Sequence, residues 1–247
     1  VSAPLFLVPP ERLATVEPGG TVTIDGPEGR HASDVMRLRA GEPVLVGDGA
    51  GTLVTGEVLA ARKGELDVLV SEVQRSAPAE PRSTLVQALA KGDRDLLAIE
   101  VATELGIDEV VPWQAERSVS RWRGDRAERS RRKWEQTLVA ATKQARRATV
   151  PVLAPPADRQ DVVDRIARAD LALVLHEEAT EPLAGLEVPP RGNVVLVVGP
   201  EGGISPAETE AFVAAGARVV RLGSTVLRTS TAGPAALAVL LSATRWR

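Results

Sequence analysis

A chain of 247 residues with 44% hydrophobic content has room for one large domain or two modest ones with a substantial core. It contains no cysteine and two histidines, His31 and His176, which excludes disulfides, thiolate metal sites and histidine-rich metal clusters, so no metal is assigned. The net charge of −3 is small, the N-terminus lacks the basic-then-apolar order of a signal peptide, and the longest apolar run, residues 235–241, falls far short of the roughly 20 residues that span a bilayer; a cytoplasmic protein without membrane contact is expected.

Residues 1–75 read as a small β-rich domain. Apolar alternation marks strands at 5–8, 21–24, 43–46, 52–58 and 66–73, with the turn Gly47-Asp48-Gly49-Ala50-Gly51 before the fourth. Short strands with glycine turns suggest a small barrel. Residues 28–39 interrupt them as a short helix carrying Arg30, His31, Arg37 and Arg39, with Val35, Met36 and Leu38 available to pack inward. Three arginines there are candidates for phosphate contact, although the domain as a whole holds seven Lys/Arg against eleven acids. The proline-containing, aperiodic stretch at 76–82 reads as a linker.

From residue 83 onward strand and helix patterns alternate, the signature of an α/β domain with a parallel sheet. Strands are predicted at 85–89, 108–113, 171–175, 194–198 and 218–222. Helices are predicted at 93–105 with Gly106 as C-cap, at 125–147, 161–167 and 206–215, and at 234–245 with Pro234 at the first position. In the long helix Trp134, Leu138 and Ala141 share an inner face, and between Arg117 and Arg147 eleven Lys/Arg outnumber three acids. Such a block suggests a surface for a polyanion. The most informative stretch is the apolar strand at 194–198, followed by Gly199-Pro200-Glu201-Gly202-Gly203-Ile204 and the helix start Ser205-Pro206-Ala207-Glu208, which reads as a capping box. A strand, a glycine turn and a helix N-terminus form the usual ligand position of open α/β sheets. Neither a P-loop nor a Gly-x-Gly-x-x-Gly dinucleotide loop is present.

A second such loop is Leu222-Gly223-Ser224-Thr225-Val226-Leu227-Arg228-Thr229-Ser230-Thr231-Ala232. Together with the first, and with Lys91-Gly92-Asp93-Arg94, Ala102-Thr103-Glu104-Leu105-Gly106, Glu116-Arg117-Ser118 and Leu175-His176 in order, it resembles the knotted SPOUT methyltransferases, most closely the 16S rRNA uridine-N3 methyltransferases of the RsmE type. The resemblance covers almost the whole chain. It implies a PUA-like RNA-binding β-barrel at 1–75 and a methyltransferase domain at 83–247 with a parallel sheet and a deep trefoil knot. It also implies S-adenosylmethionine held by Leu175, His176, Gly199, Glu201, Gly202, Leu222, Gly223, Leu227 and Thr229, with 16S rRNA or the small ribosomal subunit as partner. A homodimer is implied as well, for which the run 235–241 offers an apolar face. Where the family usually has glutamate in the second loop, this chain has Ser230.

Uridine N3 is a weak nucleophile until its imide proton leaves, so the chemistry requires alignment and stabilisation of charge developing on O2 or O4. Arg228 is the candidate catalytic residue for that stabilisation, the alternative being a structural ion pair. His176 reads as a satisfied loop residue before a proton acceptor, and Glu201 as a group that orders the glycine turn. Arg117, Arg121, Arg123, Arg146 and Arg147 are the candidate phosphate partners in the basic block, joined by Arg30, Arg37 and Arg39. Trp113 and Trp122 are candidates for base stacking, and Trp134 and Trp246 for the core. A ribose 2′-O methyltransferase of the same superfamily and a non-catalytic ribosome assembly factor are the competing readings.

Overall fold

The structure, a computed structural model, describes residues 3–247, which form two compact units. The first holds the residues up to Pro78 together with Ala140–Val150. The second holds Ala79–Val139 and Pro151–Arg247.

In the first unit five strands, β1 (Leu5–Leu7), β2 (Thr21–Ile24), β3 (Pro43–Gly47), β4 (Thr52–Arg62) and β5 (Glu65–Arg75), form one sheet in the order β1-β3-β4-β5-β2. Only the β1–β3 pair is parallel. Alternate residues Val44, Val46, Val54, Val58, Leu66, Val68 and Val70 point to one core with Phe6, Leu13, Val22, Ile24 and Ala32. Gly56, at a register shift of β4, has no room for a side chain, since a Cβ there would lie 2.4 Å from the carbonyl oxygen of Leu69. No ladder joins β1 to β2 among the described residues, so the expected barrel is an open sheet in its hydrogen bonding.

The predicted helix at 28–39 is displaced. α1 (Gly26–Arg30) runs into a π-helical turn at His31–Val35, and the chain leaves it at Arg37 with φ of 56°. The wide turn rotates the residues after it off the side that a 3.6-residue period assigns to the core. Val35 and Met36 are therefore exposed, and only Leu38 packs inward.

The second unit is built on seven parallel strands: β6 (Arg82–Ala88), β7 (Glu109–Trp113), β8 (Val152–Leu153), β9 (Leu171–Leu175), β10 (Glu181–Pro182), β11 (Asn193–Val198) and β12 (Arg218–Arg221). Their order is β10-β12-β9-β11-β6-β7-β8. The edge strands β8 and β10, two residues each, are too short to leave a periodic signal and were not expected. The helices are α2 (Arg94–Leu105), α3 (Asp125–Gln144), α4 (Arg159–Ala167), α5 (Pro206–Ala214) and α6 (Thr229–Ser242). From Ala140 the chain of α3 is counted with the first unit.

β11 is covered on both faces, which is why it reads as an unbroken apolar run. Val195 and Val197 join Val86, Val111, Trp113, Val162 and Phe212 in one cluster. On the other face α6 lies so close that a Cβ on Gly233 would sit 3.1 Å from Leu85 Cδ1 and 3.4 Å from Val198 Cγ2. α6 begins at Thr229, five residues before the predicted start, with Pro234 inside it. Its Ala236, Leu237, Leu240 and Leu241 are buried within the chain, while Ala235, Ala238 and Val239 stay partly exposed. Among the described residues no helix is long and apolar enough to cross a membrane.

Candidate active site

Three connections leave the C-terminal ends of β9, β11 and β12 and line a single cleft of about 970 Å³ in the second unit. The first contributes Leu175 and His176. Glu201 and Gly202 come from the second with Gly199 and Gly203, and Leu222, Gly223, Leu227, Arg228 and Thr229 from the third. All residues proposed from the sequence for cofactor binding and catalysis thus border the same cavity. Arg117 borders it too, and so does Arg94, which carried no site role in the sequence reading.

The glycine turn after β11 is fixed by packing and by charge. A Cβ on Gly199 would stand 2.6 Å from Ile204 Cγ1, which makes the tight turn specific to glycine, and Gly203 has φ of +73°. Beyond it, Ser205 and Glu208 form the expected capping box at the start of α5: Glu208 N donates to Ser205 Oγ at 3.3 Å and Ser205 N to Glu208 Oε2 at 3.0 Å. The same buried pair reaches the segment after β7. Glu116 N donates to Glu208 Oε1 at 2.8 Å, and Ser205 Oγ donates to Glu116 Oε2 at 2.6 Å.

Glu201, at the tip of the turn, accepts from Lys91 N at 3.0 Å and from Arg94 Nη1 at 2.7 Å. Partial burial pushes its carboxyl upward, but its own backbone N–H, the Arg94 guanidinium and the Lys91 N–H outweigh that and hold it below the ordinary glutamate value. The carboxylate therefore orders the turn. Arg117 Nη1 donates to Gly202 O at 3.2 Å and closes the turn from the other side. The sequence signal for Arg94 was its place in the Lys91-Gly92-Asp93-Arg94 segment.

Thr229, the first residue of α6, is buried, and its hydroxyl donates to Gly199 O at 2.7 Å while accepting from Gln87 Nε2 at 2.9 Å. This chain of bonds ties β6, α6 and the glycine turn together, and engages the Thr229 hydroxyl within the protein. Gln87 is fully buried between apolar Val86 and Ala88, a polar residue inside an apolar strand pattern that is the one sequence signal for it. His176 Nδ1 accepts from Glu178 N at 3.2 Å, as expected of an ordered loop residue.

The loop after β12 is different. Between Gly223 and Leu227 no backbone N–H meets a protein acceptor among the described residues, and Val226 is 72% exposed. Backbone donors left open along a cleft wall suit a ligand rich in acceptors. Arg228, exposed beside them, has no carboxylate within ion-pair distance among the described residues.

The basic residues divide. Arg121 and Arg123 are exposed in the segment before α3. In the first unit Arg30, Arg37 and Arg39 are exposed around the π turn; Arg146, with φ of 53°, is exposed after α3, whereas Arg147 is half-buried with Nη2 3.5 Å from Thr149 Oγ1. The stacking candidates need correction. Trp113 is fully buried edge-to-face on Phe212, because a residue at the end of a central strand faces the core, while Trp122 stands half-buried on buried Trp134. Trp246, assigned to the core, is 53% exposed because it lies past the end of α6.

A family model for an RNA methyltransferase domain matches residues 78–241, and one for an RNA methyltransferase PUA domain matches residues 24–71. The chain is 45% identical over 233 residues to the ribosomal RNA small subunit methyltransferase E of Mycobacterium bovis, covering 92% of this chain and 89% of that protein. It is 29% identical to the protein of the same name from Bacillus subtilis, covering 91% of each. The crystal structure of ribosomal RNA small subunit methyltransferase E from Neisseria gonorrhoeae bound to S-adenosylmethionine aligns with a TM-score of 0.84, 27% identity and 98% coverage of both chains. A methyltransferase of Legionella pneumophila in complex with the same cofactor aligns with a TM-score of 0.82, 27% identity and 99% coverage of both. With its fold, its cleft and these similarities along nearly its whole length, the chain belongs to the ribosomal RNA small subunit methyltransferase E family.

Proposed function

We propose that this protein uses S-adenosylmethionine to methylate N3 of a uridine in the 16S rRNA of the small ribosomal subunit. The observation that carries the reading is the convergence of three loops, after β9, β11 and β12, on one cleft, in which the N–H groups from Gly223 to Leu227 have no protein acceptor among the described residues. The names of the relatives support the substrate class, and the ligand of two structural neighbours supports the cofactor.

Residues of the cleft fit that cofactor: the open N–H groups of Gly223 to Leu227 match the acceptors of adenine, and the close turn at Gly199 lets backbone border the ligand. When bound, S-adenosylmethionine supplies an electrophilic methyl group on a sulfonium. The chain's own work is to align the base and to stabilise charge on it. Arg228, exposed and unpaired in the cleft wall, is suited to meet negative charge on O2 or O4 of the pyrimidine. The occupied Nδ1 of His176 and the clamped carboxylate of Glu201 leave both as ordering groups.

The same reading takes residues 1–75 as the RNA-binding PUA-like domain, 76–82 as the linker and 83–247 as the catalytic domain, in the cytoplasm where ribosomal RNA is found. A trefoil knot is part of it, supported by the path of α6: the chain leaves β12 near one edge of the sheet and returns to pack on α2, β11 and β6. So is a homodimer, which light scattering in solution tests.

Incubating small-subunit rRNA with the protein and methyl-labelled S-adenosylmethionine, then digesting to nucleosides, tests the function. Label is expected in 3-methyluridine. Label on ribose would overturn the base specificity, and absence of both transfer and calorimetric cofactor binding would overturn the enzyme. Arg228→Ala is expected to lower kcat by on the order of 10²-fold with cofactor affinity kept.

A further inference from the structure

The cations between Arg117 and Arg147 do not share one role. Arg131 is half-buried, donating to Ala154 O at 3.1 Å and Leu153 O at 3.3 Å and pairing with Glu135 at 3.1 Å. Arg132 pairs with Glu128 at 3.2 Å, and Lys143 holds Glu28 at 2.7 Å. Arg126, Arg129 and Lys133 are exposed and make no hydrogen bond or ion pair among the described residues.

We propose that these three residues form a docking stripe for the phosphate backbone of the RNA substrate. Spaced three and four residues apart, they lie on one side of α3, away from the side that buries Trp134 and Leu138. A merely solvated helix face gains from pairing with acids one turn away, and this stripe makes no such pair among the described residues. No acid lies three or four residues from Arg126 or Lys133, and Asp125, four residues before Arg129, forms no ion pair with it. Instead Arg126 faces Arg129 at i+3 and Arg129 faces Lys133 at i+4, both repulsive spacings. Arg126 and Arg129 also lie near the start of α3, where the helix dipole opposes positive charge. The helix carries this arrangement at a cost in stability, and a polyanion laid along the stripe relieves every one of those terms. The chain before α3 extends the same charge through Arg121 and Arg123 from Arg117 in the cleft wall, so RNA held on the stripe can continue toward the cleft.

The inference rests on an RNA substrate, and its test separates the two. The triple variant R126Q/R129Q/K133Q and the control R132Q are compared with wild type for binding a small-subunit rRNA fragment over a range of salt, for calorimetric binding of S-adenosylmethionine, and for thermal unfolding. Each lost phosphate contact lowers the slope of log K against log salt by about 0.7–0.9, so the triple variant should lose about two units. It should keep its cofactor affinity and melt at the same or a higher temperature. Arg132→Gln should keep the wild-type slope. An unchanged slope in the triple variant, or an equal loss in the control, overturns the stripe while leaving the RNA substrate intact. A wild type that binds the cofactor but no RNA overturns both.

Discussion

Asp95 is the side chain whose chemistry departs most from its sequence context. By position it is an ordinary acid in the first turn of α2, where the helix dipole favours a carboxylate. In the fold it is 6% exposed, and burial pushes its pKa up to about 6 despite N–H donors from Ala90 at 3.4 Å and Leu96 at 2.9 Å. The sign of the linkage follows. The folded protein holds the Asp95 proton more tightly than the unfolded chain, whose value is near 3.8, so folding takes up a proton between those two values. Stability from this group falls as pH rises from about 4 to about 6 and stays level above that. Asp95→Asn removes the slope. Denaturant unfolding of the variant at pH 7 should show a gain of at most about 3 kcal/mol, smaller to the extent that the amide N–H₂ opposes the N–H of Ala90. At pH 4 the two proteins should be nearly equal; a variant less stable than wild type at pH 7 would mean that the carboxylate is stabilising there.

At the scale of elements, α6 shows where pattern reading ended and packing took over. Proline is favoured at the first helical position, so the pattern predicts a start at Pro234. Yet the helix extends back to Thr229, because the missing N–H of Pro234 leaves one carbonyl unbonded while the earlier turn gains tertiary contacts. Gly233 allows the approach to Leu85 and Val198, and Thr229 bonds to Gly199 and Gln87. Gly199 and Gln87 lie 30 and 142 residues away, beyond any local signal. The two glycine loops were legible because each joins an apolar strand to a helix start; the hydroxyl that links them was not. Thr229→Ala should cost about 1–3 kcal/mol, because buried Gln87, whose Oε1 already lacks a partner, keeps only the bond of its Nε2 to Ala88 O, and Gly199 O loses its donor. It should also weaken S-adenosylmethionine binding in a calorimetric titration, since the Gly199 turn and the start of α6 lose their tie. Thr229→Ser should restore both. A Thr229→Ala protein that melts lower but binds the cofactor as wild type does would confine the hydroxyl to a structural role.

For the whole molecule, the alternation of strand and helix after residue 83 made the α/β class legible, and the glycine-punctuated strands before 75 made the β-rich unit legible. What sequence could not show is that the first unit is completed by a segment from the middle of the chain. Gly51 N donates to Ala148 O at 3.1 Å and Val150 N to Gly49 O at 2.9 Å, with Ala50 bridged to Thr149. Lys143, half-buried, holds Glu28 and stands 5.8 Å from the centre of the Phe6 ring. Val150 also packs on Gly49, where a Cβ would lie 3.0 Å from its Cγ2. A fragment cut after Pro78 keeps every strand of the first sheet and loses all of these contacts. Two backbone hydrogen bonds and a half-buried pair are together worth roughly 2–4 kcal/mol, which for a unit of this size lowers the melting temperature by about 10 °C or more. Amide exchange within the full chain gives the reference: protection at Gly51 should be high there and lost in the fragment, with the strands of β4 and β5 weakened in parallel. Supplying the segment as a peptide covering residues 140–150 should recover part of that protection. A fragment as protected as the intact protein would show that the sheet's own core suffices and that the borrowed segment only rests on it.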